Sequence, residues 1–222
     1  MISVAIDGPA GAGKSSISKE VAKRMNFLYI DTGAMYRAVG YYCIKNNIDY
    51  NDEEKVNSIL DDLNIVEEYT DKTNVYLNGE DITGLIRTES VSKAASVTSS
   101  YKNVRVKLVE LQREMAKTMN VIMDGRDIGS VVLPNAELKI YLDASPEIRA
   151  ERRLLELSED ANYEDVLRDI KERDDRDMNR KESPLVQVED AIYIDNGICT
   201  QEETIEKIMN LIKEKEKSLW KD

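Results

Sequence analysis

Histidine is absent from this chain of 222 residues. Its absence removes Ser-His-Asp and Cys-His catalysis, histidine metal sites and histidine pH switches together. Cysteine is nearly absent: Cys43 and Cys199 stand far apart, with no CxxC pair. They read as reduced structural thiols of a cytoplasmic protein, a disulfide between them being the alternative. No apolar run approaches the length of a membrane span, and no signal peptide is expected ahead of the first apolar segment at Ile2. Positive charge is in deficit, with 31 Lys and Arg against 43 Asp and Glu and a net charge of -12. That balance argues against nucleic acid as the main partner, because such proteins usually present a basic face. With 41% hydrophobic and 33% charged residues the chain fits a globular class, and its length suffices for one large domain or a domain with an insert.

What is present is concentrated at the N-terminal end. Ile2 to Ile6 is a short apolar run with β-branched residues, a buried-strand pattern. After Asp7, the stretch Gly8-Pro9-Ala10-Gly11-Ala12-Gly13-Lys14-Ser15 fits G-x-x-x-x-G-K-[ST]. Its glycines let consecutive backbone N–H groups face one concavity with no Cβ in the way. A helix expected from Lys14 to about Met25 adds its dipole and its unpaired N-terminal donors. Lys14 is the residue to reach the β- and γ-phosphates, and Ser15 or Ser16 the one to reach a phosphate or Mg²⁺. A chance glycine-rich turn is the competing reading, but the motif sits between a strand and a helix, as a phosphate loop must.

Along the rest of the chain, short apolar strands alternate with helices. Strands are expected at Phe27–Ile30, Val121–Asp124, Leu138–Asp143 and Ala191–Asp195, and helices at about 32–46 with Thr32 as N-cap, 52–62, 88–98, 101–118, 146–158, 163–181 and 202–217. Ile65–Tyr69 and Asn74–Leu77, joined by a turn at Thr70–Thr73 and followed by Asn78-Gly79, read as a hairpin. The fold expected is α/β: five parallel strands covered by helices on both faces, with a small antiparallel insert. Residues 1–63 and 97–222 would form the core and 64–96 the insert.

Two further clusters bear on chemistry. Seven of the 13 arginines fall within 149–180: Arg149, Arg152, Arg153, Arg168, Arg173, Arg176 and Arg180. Arginine's planar fork binds phosphate oxygens two at a time, which lysine cannot do. Arg173, Asp177 and Arg180 have the spacing of one helix face. The bland alternative is a solvated helix laced with Asp–Arg pairs, but beside a phosphate loop a lid closing over a triphosphate is the stronger reading. The second cluster, Asp124-Gly125-Arg126-Asp127-Ile128-Gly129, follows a strand end, where ligands of parallel sheets bind. There Asp124 could hold Mg²⁺ through water, Arg126 an acceptor phosphate and Asp127 a base. The alternative is an ordinary Asp-Gly turn. Arg37, just after another strand end, is either a ligand of the same kind or a surface arginine paired with an acid.

The segments IDGPAGAGKS, DTGAMYR, IRTESVSKAAS, VRVKLVELQRE, DGRDIG, KIYLDAS and KERDDRDMNR, in this order, resemble the bacterial cytidylate kinases along nearly the whole chain. The resemblance implies the nucleoside-monophosphate kinase fold, with a core, a monophosphate-side insert and an arginine-rich lid at 149–181. It implies transfer of the γ-phosphoryl group of ATP, with Mg²⁺, to CMP or dCMP by a monomer. Gly8 to Ser16 would bind ATP. Thr32, Arg37, Arg126 and Arg180 match positions that hold the CMP phosphate, and Ser96, Arg105 and Asp127 positions that read cytosine. Tyr36 and Asp177 match positions around base and ribose. Arg152 or Arg153, with Arg173, match lid positions at the transferring phosphate, while Ser15 or Ser16 and Asp124 are left for the metal. A kinase of UMP, another nucleoside monophosphate or shikimate is the nearest rival. A nucleotide-dependent switch is the non-enzyme rival: it needs an Asn-Lys-x-Asp guanine reader, which the sequence lacks, and the Asp-x-x-Gly match at Asp81–Gly84 falls in the insert.

Overall fold

A computed structural model describes residues 1–69, 73–117, 119–157 and 161–219. The expected turn at 70–72, Thr118 and residue 158 at the end of an expected helix lie outside the described residues. In chain order the elements are β1 (Ser3–Asp7), α1 (Lys14–Met25), β2 (Leu28–Asp31), α2 (Thr32–Lys45), α3 (Glu53–Ser58), β3 (Ile65–Tyr69), β4 (Thr73–Leu77), β5 (Glu80–Asp81), α4 (Glu89–Thr98), α5 (Lys102–Met115), β6 (Val121–Gly125), β7 (Leu138–Asp143), α6 (Pro146–Glu156), α7 (Tyr163–Asn179), β8 (Ala191–Asp195) and α8 (Gln201–Leu219). They form two compact units, Met1–Tyr29 with Met119–Asp222, and Ile30–Thr118. Among the described residues no helix is long and apolar enough to cross a membrane.

The first unit is built on a five-stranded sheet in the order β2-β6-β1-β7-β8. Its strands are the five apolar runs expected from sequence. β1 pairs in parallel with β6 and β7, and β7 with β8. Val4, Ala5 and Ile6 of the central strand are fully buried, which is why β1 is a continuous apolar run rather than an alternating one. α1 packs against β1 and β6, and α8 against α1 and β7. Right-handed crossovers send the α6–α7 connection, between β7 and β8, to the other face. The chain leaves β1 in one direction across the sheet and β7 in the other. Such a reversal opens a crevice at the carboxyl ends of the strands, where Asp7, Asp124 and Asp143 stand.

The second unit has its own core, with Met35, Val39 and Cys43 of α2, Val91 of α4, Leu108 of α5, and Ile65, Val75 and Leu77 of the small sheet. That sheet is antiparallel in the order β3-β4-β5. Asn78 and Gly79 both take positive φ, 52° and 83°, as the Asn-Gly hairpin turn requires. β5, two residues long, has too little pattern to be seen in sequence. Both cysteines are free, and burial pushes the Cys43 thiol up to about 11.

Three expectations are corrected. α2 is capped by Asp31 and not by Thr32: the helix begins at Thr32, and the Asp31 carboxylate accepts the Ala34 N–H at 2.9 Å. The helix expected over 52–62 stops at Ser58 and tightens into a 3₁₀ turn at Leu60–Asp62, since Asp61 and Asp62 would oppose the dipole at a helix C-terminus. The helix expected to 181 ends at Asn179: the Asp177 carbonyl, which the Lys181 N–H would meet in a continued helix, instead accepts the Leu185 N–H of the returning chain at 2.8 Å. Arg180 therefore sits beyond the helix in extended conformation (φ -63°, ψ 144°), off the face shared by Arg173 and Asp177.

Gly40 sets the approach of α2 to α4: a Cβ there would lie 2.8 Å from Ala95 N and 3.2 Å from Ala94 Cβ. Gly40→Ala is expected to destabilise the fold by about 1–3 kcal/mol through overpacking, against the roughly 1 kcal/mol that alanine gains in helix propensity. Urea denaturation of the two proteins measures the difference. A raised midpoint would contradict the close packing.

Candidate active site

In the first unit the site grows out of the end of β1. Gly8 turns the chain at φ 148°, and a Cβ there would fall 2.0 Å from Leu142 O, so only glycine fits beside β7. Gly11 and Gly13 continue at φ 77° and 91°, and Gly13 is the residue from which α1 starts. The loop thus ends on unpaired donors of a helix N-terminus, a natural anion seat. Lys14 is 5% exposed, with Nζ donating to Pro9 O at 2.7 Å. Burial, and next the Arg126 charge, pull its ammonium down to about 7, against the charges of Asp124, Asp7 and Asp177.

Ser15 and Ser16 now part company. Ser15 Oγ donates to Asp124 Oδ2 at 2.9 Å, while Ser16 is exposed. Tyr29 donates its hydroxyl to the other Asp124 oxygen at 2.8 Å. A hydroxyl and a carboxylate side by side suit Mg²⁺, which takes hard oxygen ligands and usually keeps water and substrate phosphates in its shell. Asp7 lies beneath: its oxygens accept the Ile128 and Gly129 N–H groups at 2.8 and 2.7 Å, and burial pushes its carboxyl up to about 6. These two N–H groups open a π-helical turn, Ile128–Val132, which the sequence pattern did not announce.

The arginines of this unit divide by partner. Arg126 Nε donates to Asp177 Oδ2 at 2.9 Å. Burial works to raise the Asp177 carboxyl, but the charges of Arg126, Arg173 and Arg180 outweigh it and hold it low. Arg180 Nη2 lies 3.5 Å from Asp127 Oδ1, and its Nε donates to Ser183 O at 2.7 Å. Arg126, Asp127, Asp177 and Arg180 are therefore brought into one charge network. Arg152 and Arg153 are not equivalent. Arg152 Nη2 donates to Asn196 O at 2.7 Å, whereas Arg153 is exposed and pairs with Glu156 one turn on. Arg149, counted in the cluster but given no role from sequence, is the most embedded of the three. It forks onto Asp174 through both Nη atoms, and donates to Ala144 O at 2.8 Å and to Ala10 O of the loop at 3.0 Å.

The second unit carries the other expected residues. Asp31, besides capping α2, accepts from Arg37 Nη2 at 3.2 Å and Arg87 Nη2 at 3.1 Å. Burial alone would raise its carboxyl; the two arginines and the Ala34 N–H outweigh that and lower it. Thr32 is buried in the first turn of α2. The Arg105 guanidinium lies 5.3 Å from the Tyr36 ring centroid, a cation–π distance, and its Nη1 donates to Ser99 O at 3.0 Å. Ser96 is nearly buried on α4. Asp31 and Arg87 lie inside segments already noted, DTGAMYR and IRTESVSKAAS. Only the structure shows that Asp31 pairs with both Arg37 and Arg87.

Burial holds the Lys14 amine down near 7, and a bound polyanion would favour its charged form. Triphosphate binding is therefore expected to take up a proton near pH 8, and less as the pH falls below about 6, where the amine is already charged. Calorimetry in buffers of different ionisation enthalpy reads this directly. Wild-type uptake that persists in Lys14→Met, or no uptake at all, would contradict the assignment.

Comparison with known proteins adds a family. The model of the family described as "Cytidylate kinase" matches residues 4–214. A cytidylate kinase of Caldicellulosiruptor bescii is 50% identical over 214 residues, covering 95% of each chain. A cytidylate kinase of Clostridium botulinum strain Okra is 46% identical over 215 residues, covering 96% of this chain and 98% of the other. Among solved structures, an uncharacterised protein from Eubacterium ventriosum superposes with a TM-score of 0.56 at 13% identity, covering 96% of this chain and 99% of the other. A gluconokinase from Sinorhizobium meliloti superposes with a TM-score of 0.50 at 12% identity, covering 100% and 97%. These two likenesses concern the fold alone.

Proposed function

The chain belongs to the cytidylate kinase family, and on that premise we propose how its residues divide the work of moving the γ-phosphoryl group of ATP to CMP or dCMP. The reaction releases ADP and CDP or dCDP. Phosphoryl transfer needs alignment of donor and acceptor and neutralisation of charge on the equatorial oxygens rather than a covalent nucleophile, so a chain without histidine can perform it. The observation that carries the reading is the family's identity, 50% across 95% of the chain.

Within it, Gly8 to Ser16 take the ATP phosphates, with Lys14 at the developing charge. Ser15 and Asp124, 2.9 Å apart, are the pair that would hold Mg²⁺, Asp124 through water. The metal would supply charge neutralisation on the phosphate oxygens. Thr32, Arg37, Arg126 and Arg180 are assigned to the CMP phosphate. Ser96, Arg105 and Asp127 read cytosine, and Tyr36 and Asp177 serve base and ribose. Arg152, Arg153 and Arg173 act from a lid, residues 149–181, the stretch 64–96 acting as the monophosphate-side insert. Of the neighbouring pair, Arg152 has the more constrained setting, donating to Asn196 O. A monomer working in the cytoplasm, in pyrimidine nucleotide metabolism, completes the proposal.

Asp127 carries the sharpest test. Cytosine offers an amino donor where uracil offers an acceptor oxygen, so a carboxylate there accepts from one and repels the other. Sites built on such pairing discriminate by up to roughly 10⁴–10⁵. Asp127→Ala is expected to lower kcat/KM for CMP far more than for UMP and to leave ATP binding nearly intact. Arg126→Ala should weaken both acceptors alike, since both carry the same phosphate. ADP release with CMP, dCMP, UMP, AMP and shikimate as acceptors tests substrate class and Asp127 in one series. A second role for Asp127 has its own support, the Arg180 pair at 3.5 Å. An unchanged CMP/UMP ratio in Asp127→Ala would leave it as the partner that orients Arg180.

A further inference from the structure

Three carbonyls of the phosphate loop accept hydrogen bonds from side chains. Pro9 O takes Lys14 Nζ at 2.7 Å, Ala10 O takes Arg149 Nη1 at 3.0 Å, and Ala12 O takes Asn196 Nδ2 at 2.8 Å. In a planar trans peptide the C=O of one residue and the N–H of the next point in opposite directions. Tying the Ala10 carbonyl therefore aims the Gly11 N–H the other way, and tying the Ala12 carbonyl does the same for Gly13. Gly11 and Gly13 are also the residues with the positive φ that ordinary side chains resist.

Asn196 comes from beyond the end of β8, 184 residues away in sequence, and is 5% exposed. Every polar group it has is engaged. Its N–H donates to Asp143 O at 2.7 Å, and its carbonyl accepts from Arg152 at 2.7 Å. Its Oδ1 accepts from Thr204 Oγ1 at 2.9 Å, the nearer of two acceptors for that hydroxyl, Thr200 O being at 3.2 Å. The orientation of the amide follows from chemistry: Ala12 O can only accept, so the nitrogen must face it. Gly13 is shaped to this amide, since a Cβ there would lie 2.6 Å from Asn196 Nδ2.

We propose that Asn196, held in one orientation by Thr204, is a positioning residue that pins the Ala12–Gly13 peptide so that the Gly13 N–H faces the bound triphosphate. The proposal rests on the reading of residues 8–16 as the triphosphate seat. Asn196 acts through the loop backbone, so what it supports is affinity for the phosphate chain, whatever base is attached.

The test is binding of ATP and of inorganic tripolyphosphate to the full chain by calorimetry, with KM for CMP and thermal unfolding measured beside them. Asn196→Asp keeps the shape but sets an acceptor and a charge against Ala12 O. It should weaken ATP and tripolyphosphate by the same factor, about tenfold or more for one lost hydrogen bond, with KM for CMP unchanged. Thr204→Val, which removes only the hydroxyl holding the amide, should do the same in smaller degree; it keeps the proposal testable should Asn196→Asp not fold. Weaker ATP binding with unchanged tripolyphosphate binding would overturn the proposal, because Asn196 would then be serving the nucleoside. A lower melting temperature with ATP, tripolyphosphate and CMP all unaffected, or all weakened together, would overturn it by reducing Asn196 to a structural part. Lys14→Ala separates the two levels. If Lys14→Ala weakens tripolyphosphate and the Asn196 and Thr204 variants do not, the positioning role fails. If Lys14→Ala also leaves it unchanged, the loop reading itself fails.

Discussion

Lys14 carries its ammonium out of water at the carboxyl end of the central strand, with the positive charge of Arg126 acting on it as well as three carboxylates. Withdrawing such a charge is costly unless it is paired and hydrogen-bonded, and the first unit is arranged around that demand. The strands that flank β1 bring Asp124 and the loop after β6; Asp177 arrives from α7 already holding Arg126. Asp7, the carboxylate directly below, meets two N–H groups of the π-helical turn, and its carboxyl is pushed up to about 6. The result is a site in which charged groups are held in place by one another, the kind of preset arrangement that can stabilise developing charge without reorganisation.

The same logic recurs in the second unit with different parts. Asp31 is at once the cap of α2 and the anchor for Arg37 and Arg87. One carboxylate thereby starts the helix and fixes two forked cations, which suits recognition of a second phosphate. Arg105 is held differently, with its guanidinium 5.3 Å from the Tyr36 ring centroid and its Nη1 donating to the Ser99 carbonyl. In the first unit, Arg149 and Asp174 form a buried fork that links α6 to α7 and reaches the loop at Ala10. Breaking such a pair strands a charge, so its value is in geometry more than in net stability.

Much of this was legible in the sequence because it is local. The glycine spacing of residues 8–13, the five apolar strands and the Asn78-Gly79 turn each depend on neighbours in the chain, and all are present. Family motifs extended the reading to residues whose partners lie elsewhere. What escaped is what long-range contacts decide. Asp31 displaced Thr32 as cap since a carboxylate there also meets two arginines. Arg180 left its helix where the returning chain, through the Leu185 N–H, takes the Asp177 carbonyl. Arg149 and Asn196 were passed over because their partners in the loop are 139 and 184 residues away, and no pattern in the sequence marks an arginine or asparagine that serves a backbone carbonyl.

Everything turns on Lys14 being the cation at the transferring phosphate. The most direct measurement is turnover of ATP and CMP by Lys14→Ala, with circular dichroism confirming the fold. Because the side chain fills a polar seat at a strand end and not the apolar core, the variant is expected to keep its secondary structure. It should lose about 10²–10³ in kcat, the usual consequence of removing one preset group at developing charge. Near-normal turnover in a folded Lys14→Ala protein would contradict the account.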